Sequence, residues 1–228
     1  MKICGLQKLT ALDYPGKVAC TVFTPGCNFR CPFCHNAALV TEEPGEMDSE
    51  EIFAFLERRR DVLDGVAVTG GEPLLQPSLV DFLRRIKDMG YAVKLDTNGS
   101  LPRRLAEVME AGLVDYIAMD IKNSPEKYAA TCGVEQVDMD AIALSVELIM
   151  ASGIDYEFRT TAVAELHSDT DFEAMGQMIR GAKRWFIQNF VDSGGLIGSG
   201  LSAASRESME RWRELGSAFV ENVEIRGL

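Results

Sequence analysis

Short apolar runs alternate with amphipathic segments along this 228-residue chain, and that alternation constrains the fold more than any other feature. Residues 17–23 (KVACTVF), 65–69 (GVAVT), 91–96 (YAVKLD), 115–121, 154–163 and 185–190 read as strands. Between and after them, apolar residues recur at helical spacing over 49–63, 78–89, 101–111, 138–151, 169–180 and 205–220. The pattern is βα repeated six times. Strands separated by helices imply a parallel sheet with right-handed crossovers. Runs such as GVAVT suit strands covered by helices. An open doubly wound sheet and a whole or partial barrel both satisfy the pattern. The expectation is one domain over 1–228, with a core at about 17–204 and a C-terminal helix and tail at about 205–228.

The apolar fraction of 46% is enough for a core of this size without staples. Net charge is −12, with no basic stripe, which argues against a nucleic-acid partner. No run approaches the roughly 18 apolar residues of a membrane span. The first residues lack the apolar stretch of a signal peptide, so a cytoplasmic protein is expected. In that reducing setting, clustered cysteines point to metal or redox chemistry rather than disulfides.

Cys27, Cys31 and Cys34 lie in Pro25-Gly26-Cys27-Asn28-Phe29-Arg30-Cys31-Pro32-Phe33-Cys34-His35-Asn36, spaced C-x3-C-x2-C, just after the first strand. Three thiolates on one loop can converge on a soft metal centre. Structural zinc with His35 as fourth ligand is one reading, but zinc usually takes two separated ligand pairs, and the other histidine, His167, is isolated. Haem attachment fits Cys31-Pro32-Phe33-Cys34-His35 but leaves Cys27 over. Reduced, buried cysteines are the plain alternative. A four-iron cluster held by three cysteines leaves one iron open to a ligand. Cys4, Cys20 and Cys132 are scattered singles, with Cys20 expected in the core because it sits mid-strand.

Further polar or glycine-rich features follow the other strands. Gly70-Gly71-Glu72-Pro73 follows the second, Asp96-Thr97-Asn98-Gly99 closes the third, Asp120-Ile121-Lys122 closes the fourth, and Arg159 lies in the fifth. In parallel α/β folds the C-terminal strand ends carry the site. Singly, these have ordinary readings: glycines in a βα turn, Asn98-Gly99 as a turn pair, Asp120 as a cap, Arg159 as an exposed strand residue.

The cysteine spacing, with an aromatic before the last cysteine and GGEP one unit later, resembles the radical S-adenosylmethionine enzymes. That resemblance covers nearly the whole chain. It implies a partial (β/α)6 TIM-like barrel, an α/β single domain. Cys34-His35-Asn36, Asp96-Thr97-Asn98-Gly99 and Asp120-Ile121-Lys122 are similar to glycyl-radical-enzyme activating proteins. The opening, Leu9-Thr10-Ala11-Leu12-Asp13-Tyr14-Pro15-Gly16-Lys17, resembles the activating protein of anaerobic ribonucleoside-triphosphate reductase more than its pyruvate formate-lyase counterpart. No ferredoxin-like insert is expected.

The resemblance implies that Cys27, Cys31 and Cys34 hold three irons of a 4Fe-4S cluster, whose fourth iron chelates S-adenosylmethionine. Phe33 would pack on the cofactor, and His35 and Asn36 would orient it. Gly70, Gly71, Glu72 and Pro73 would receive its ammonium, with Glu72 adding negative charge. Asp96 and Thr97 would lie near its carboxylate and ribose, and Arg159 nearby. Asp120 would help bind a monovalent cation, with Lys122 facing the carboxylate. Gln188 or Asn189 would border the adenine. The implied activity is reductive cleavage of S-adenosylmethionine and removal of a glycine Cα hydrogen from a partner, with anaerobic ribonucleotide reductase the expected one. Other glycyl radical enzymes or a small-molecule substrate are the alternatives. A flavodoxin- or ferredoxin-type donor is implied. Arg58, Arg59 and Arg60 form the one basic run, read as a solvated helix face.

Overall fold

A computed structural model describes residues 1–41, 45–192 and 194–227. All six expected strands form and pair in chain order: β2 (Ala19–Thr24), β3 (Gly65–Gly70), β4 (Ala92–Thr97), β5 (Tyr116–Asp120), β6 (Asp155–Ala162) and β7 (Arg184–Asn189). Two more extend the sheet beyond the expected core. At one edge β1 (Gly5–Thr10) pairs antiparallel with β2, and at the other β8 (Asn222–Arg226) pairs parallel with β7. The tail expected after the last helix is therefore largely strand; Leu228 lies outside the described residues. β1 and β8 do not pair with each other, so the sheet curls as a partial barrel that is open at its side.

Helices of the βα units cover the outer face. In chain order the helices are α1 (Ala37–Thr41), α2 (Ser49–Glu57), α3 (Leu79–Asp88), α4 (Pro102–Glu110), α5 (Tyr128–Thr131), α6 (Met139–Ala151), α7 (Asp169–Met178) and α8 (Arg206–Gly216). α2 stops six residues short of expectation: tight turns over the arginine run let Leu63 enter the core just ahead of β3. Asp48 caps α2 and Asp138 caps α6, each accepting a backbone N–H of the first turn.

Side-chain alternation divides the sheet into two chemistries. Cys20, Val66 and Val93 form one outward-facing row in register, all fully buried under the helices. Cys20 is thus a core residue, as expected. The same apolar core runs from Ile3 to Val223, so α8 and β8 share it. The inward face carries a polar set, Thr21, Thr69, Lys94, Asp96, Asp120, Glu157, Arg159 and Gln188, beside a small apolar cluster of Tyr14, Ala19 and Tyr116. The polar part of the barrel interior builds a site rather than a core. No helix among the described residues is long and apolar enough to cross a membrane.

Candidate active site

The cysteine loop leaves β2 at Thr24 and folds across the C-terminal end of β3. Gly71 N–H donates to Thr24 O at 2.9 Å, Glu72 N–H to Gly26 O at 2.8 Å, and Gly26 N–H to Leu39 O at 2.8 Å. Two backbones cross here with no space for a side chain. A Cβ on Gly71 would be driven into the Gly26 carbonyl; one on Gly70, which sits at φ +124°, would strike the Thr24 backbone. Both glycines are demanded by the loop that carries the cysteines.

Cys27, Cys31 and Cys34 line one cavity of about 420 Å³, a size usual for small-molecule sites. Cys34 N–H donates to Cys31 O at 3.1 Å, a turn that brings these two sulfurs to the same side. Phe29 N–H donates to Cys27 Sγ at 3.3 Å, and Asn98 Nδ2 lies 3.8 Å from the same sulfur. Asn98 also donates to Asn28 Oδ1 at 2.9 Å. Donors directed at a thiolate sulfur suit a cluster ligand. Among the described residues no three Cys, His, Asp or Glu side chains gather closely enough to hold a single ion. A cuboidal cluster spreads its ligand sulfurs over separate irons, so three cysteines around one cavity fit it better than they fit zinc.

Burial pushes the Cys27 thiol up to about 11 and raises Cys34 as well. Cys31 goes the other way. The neighbouring Cys132 thiol lowers it against the effect of burial, with help from Lys122. Cys132, read as an isolated single in the sequence, is thus in contact with the cysteine loop.

The opposite wall is charged. Asp120 and Arg159 are direct neighbours across β5 and β6, and Asp120 Oδ1 accepts from Arg159 Nε at 3.0 Å. Its Oδ2 accepts from Lys122 Nζ at 2.9 Å. Asp96 accepts from Arg159 Nη1 at 3.2 Å and from Lys94, which is itself buried. Four sequence-picked residues, Asp96, Arg159, Asp120 and Lys122, thus join with Lys94 in one ion-pair chain, Lys94–Asp96–Arg159–Asp120–Lys122. Burial would raise Asp120, but Arg159 and Lys122 outweigh it and hold the carboxylate well below its usual range. Asp96 is lowered in the same way, against burial, by Arg159 and Lys94. A monovalent cation beside Asp120 would compete with two resident positive charges.

Phe33 is buried and lines the cavity, 5.9 Å from Lys122 Nζ to its ring centre. His35 and Asn36 line it too. Asn36 Nδ2 donates to Gly70 O at 3.1 Å, and the His35 ring lies 5.9 Å from that of Phe190. Gly70, Gly71, Thr97 and Gln188 complete the expected residues on the lining. Three expected residues stand away from it. Glu72 is wholly buried, its oxygens taken by Leu74 N–H, Thr97 Oγ1 and Asn98 N–H. Pro73 begins a buried 3-10 turn, Pro73–Leu75. Asn189 faces outward by strand alternation and exchanges hydrogen bonds with both backbone groups of Ala204. Of the two adenine candidates, only Gln188 reaches the cavity.

Sequence reasoning missed Gln7, Asp13, Thr21 and Phe23, which line the cavity from β1, β2 and the loop between them. Asp13 accepts from Thr21 Oγ1 at 2.5 Å. It also missed Asn28 and Asn98. The segment between β7 and α8 docks on the cysteine loop at Gly198, whose N–H donates to Pro32 O at 2.8 Å. Arg58, Arg59 and Arg60 follow the C-terminus of α2, at the end of the strands opposite the cavity.

A curled parallel sheet with three loop cysteines and a charged wall at its C-terminal strand ends defines a barrel-type redox enzyme. The chain belongs to the radical SAM superfamily, whose family model matches residues 21–179. Such enzymes use a 4Fe-4S cluster and S-adenosylmethionine. A Methanocaldococcus jannaschii protein, provisionally described as a glycyl-radical enzyme activating enzyme, is 29% identical over 230 residues, covering 98% of this chain and 95% of its own. The pyruvate formate-lyase-activating enzyme of Clostridium pasteurianum is 31% identical over 155 residues, covering 65% of this chain and 64% of that one. Among solved structures, a domain of pyruvate-formate lyase-activating enzyme from Bacteroides vulgatus superposes with TM-score 0.58 at 18% identity, over 72% of this chain and 99% of that one. Streptococcus suis SuiB bound to S-adenosylmethionine gives 0.69 at 14%, over 91% and 52%. These two establish the fold alone.

Proposed function

We propose that this chain is the activating enzyme of an anaerobic ribonucleoside-triphosphate reductase, installing a glycyl radical on it. The observation that carries the chemistry is the meeting of three cysteines and an alternating ion-pair chain around one cavity. The activating role is supported by the relative matched over 95% of its length. The choice of reductase rests on the resemblance of the opening segment, Leu9 to Lys17.

Cys27, Cys31 and Cys34 would hold three irons and leave the fourth for the amino and carboxylate groups of S-adenosylmethionine. Bound there, cluster and cofactor would supply one-electron reductive cleavage of the sulfonium and, through it, removal of a hydrogen atom from the substrate. The residues bind and orient. The backbone of Gly70 and Gly71 and the side chains of Asp96 and Thr97 would contact the polar end of the cofactor. Arg159 and Lys122, held protonated by Asp120, would balance its carboxylate. Phe33, His35, Asn36 and Gln188 would close around the remainder. Glu72 would act from below by fixing the β4 end rather than by touching the ligand. An electron donor of flavodoxin or ferredoxin type and a cytoplasmic setting accompany this reading.

The side opening between β1 and β8 suits a substrate that brings its own surface, such as a glycine-bearing loop of a large protein. Its Cα radical would be stabilised by both flanking amides. The test is electron paramagnetic resonance of the candidate reductase after incubation with the reduced, cofactor-loaded protein. A glycyl radical doublet supports the assignment; its absence, with full cofactor cleavage, removes the reductase. A second reading, activation of another glycyl radical enzyme, is favoured by the Clostridium pasteurianum match, and a radical on pyruvate formate-lyase in the same assay would select it.

A further inference from the structure

Past the last pair of β5 and β6, Asp120 with Arg159, one buried imidazole stands between the two chains. His167, on the loop from β6 to α7, accepts Val163 N–H at Nδ1, at 3.1 Å, and its Nε2 lies 3.0 Å from Lys122 O. Val163 O is 3.2 Å from the same Nδ1, but it already accepts the N–H groups of Leu166 and His167. A proton on Nδ1 would displace the Val163 N–H, and Val163 is fully buried. The hydrogen-bond network therefore assigns the proton to Nε2, which donates to the Lys122 carbonyl. Phe172 and Trp212 flank the ring, with ring centres 5.8 and 6.5 Å from its own. The imidazole stands behind the cavity wall, whereas Lys122 lies on it.

Lys122 is the second residue past β5, so no strand pairing holds its carbonyl. Its Nζ must still meet Asp120, at 2.9 Å, on the charged wall of the cavity. The residues after it are tied to the same loop and to α7. Asn123 Nδ2 donates to Leu166 O at 3.0 Å, and Ser124 Oγ donates to Asp171 Oδ1 at 2.8 Å. These bonds fix the turn after Lys122; that of His167 acts on the backbone of Lys122 itself. We propose that His167 is a positioning residue: its Nε2–H fixes the Lys122 carbonyl and so aims the Lys122 side chain at the anionic end of the bound cofactor. This rests on the reading that the cavity binds S-adenosylmethionine with its carboxylate toward Lys122.

The test compares the reconstituted full chain with His167→Asn and His167→Gln, with iron counted first. The asparagine amide reaches about as far as Nδ1 and can accept Val163 N–H, but it has no group at the place of Nε2. The glutamine amide reaches about as far as Nε2 and can donate to Lys122 O. Each variant gives up one of the two hydrogen bonds, so thermal stability falls in both. Titration calorimetry with S-adenosylmethionine separates them. The dissociation constant rises about tenfold in His167→Asn and stays near the parent value in His167→Gln. Equal affinities in the parent and both variants overturn the proposal. So does equal weakening in both variants, the mark of a residue that only holds the fold. Should His167→Asn fail to fold, nitrogen-15 NMR of the histidine-labelled, cluster-free chain decides, because the chain has two histidines. The signal that remains in His35→Gln belongs to His167 and is expected to show Nε2 protonated and Nδ1 bare; a proton on Nδ1 overturns the proposal. A parent protein with full iron that binds no S-adenosylmethionine overturns the reading of the cavity itself, which separates the two failures.

Discussion

The Glu72 carboxylate at the end of β3 accepts the backbone N–H of Asn98 at the end of β4, at 2.7 Å. Thr97 Oγ1 at 2.9 Å and Leu74 N–H at 3.1 Å complete its partners. One buried side chain thus sets the spacing of two strand ends that line the cavity, and the placed Asn98 reaches Cys27.

Burial pushes Glu72 up to about 7, against the pull of its hydrogen bonds. A carboxyl whose folded pKa lies above its unfolded value binds more protons in the native state between the two. Its contribution is fully present below about 4.5 and falls away as pH rises through about 7. Over that window it is worth about 3 kcal/mol. Glu72→Gln removes this dependence, and its amide must turn a donor toward a neighbour that is also a donor. Urea unfolding of the cluster-free chain should show the variant less stable by about 1–3 kcal/mol near pH 5, with the gap narrowing as pH rises to 7. A gap that widens with pH would contradict the burial argument.

Gly71→Ala should displace the cysteine loop, because its Cβ meets backbone and not a flexible side chain. The expected cost is about 2–4 kcal/mol, together with reduced iron content after reconstitution. Gly45→Ala, where nothing lies within 4 Å, is the control and should leave both unchanged. Equal behaviour of the two would show that the crossing of the backbones is not needed.

Asp120→Asn leaves Arg159 and Lys122 without their shared anion. The Asp120 side chain keeps 29% exposure, so water screens part of the penalty. A loss of about 2 kcal/mol is expected, visible in thermal unfolding. S-adenosylmethionine affinity should change in the same variant, because Lys122 is freed to move. Unchanged stability and affinity would remove the ion-pair chain from the account.

Gln188 and Asn189 are adjacent but face opposite sides of β7. Asn189→Ala should cost about 1–3 kcal/mol, since the Ala204 N–H and C=O lose their partners. Gln188→Ala should leave stability within about 0.5 kcal/mol and weaken cofactor binding. Calorimetric titration with S-adenosylmethionine separates the two; the reverse pattern would exchange their roles.

The six central strands were legible because each is a short apolar run bounded by helix-period sequence. The edge strands were not. β1 leaves three of its six residues exposed and carries no apolar alternation, and β8 is five residues long. The sequence pattern identified the charged rim residues singly, but their joining depends on register, which pairs Asp120 with Arg159. The resemblance offered Glu72 as a ligand contact; its burial follows from the 3-10 turn that carries it downward, which a motif does not record. Asn98 read as half of a turn pair, and its reach to Cys27 exists only once Glu72 has fixed the β4 end. Cys132 looked solitary because its contact with the cysteine loop, through the Arg30 N–H, is tertiary.

The most direct test of the central claim is the amount of 5′-deoxyadenosine formed when the anaerobically reconstituted, dithionite-reduced protein meets S-adenosylmethionine. The account predicts product from the parent chain, with about four irons bound, and none from Cys31→Ala. No product from a chain that carries zinc in place of iron would contradict it at its base.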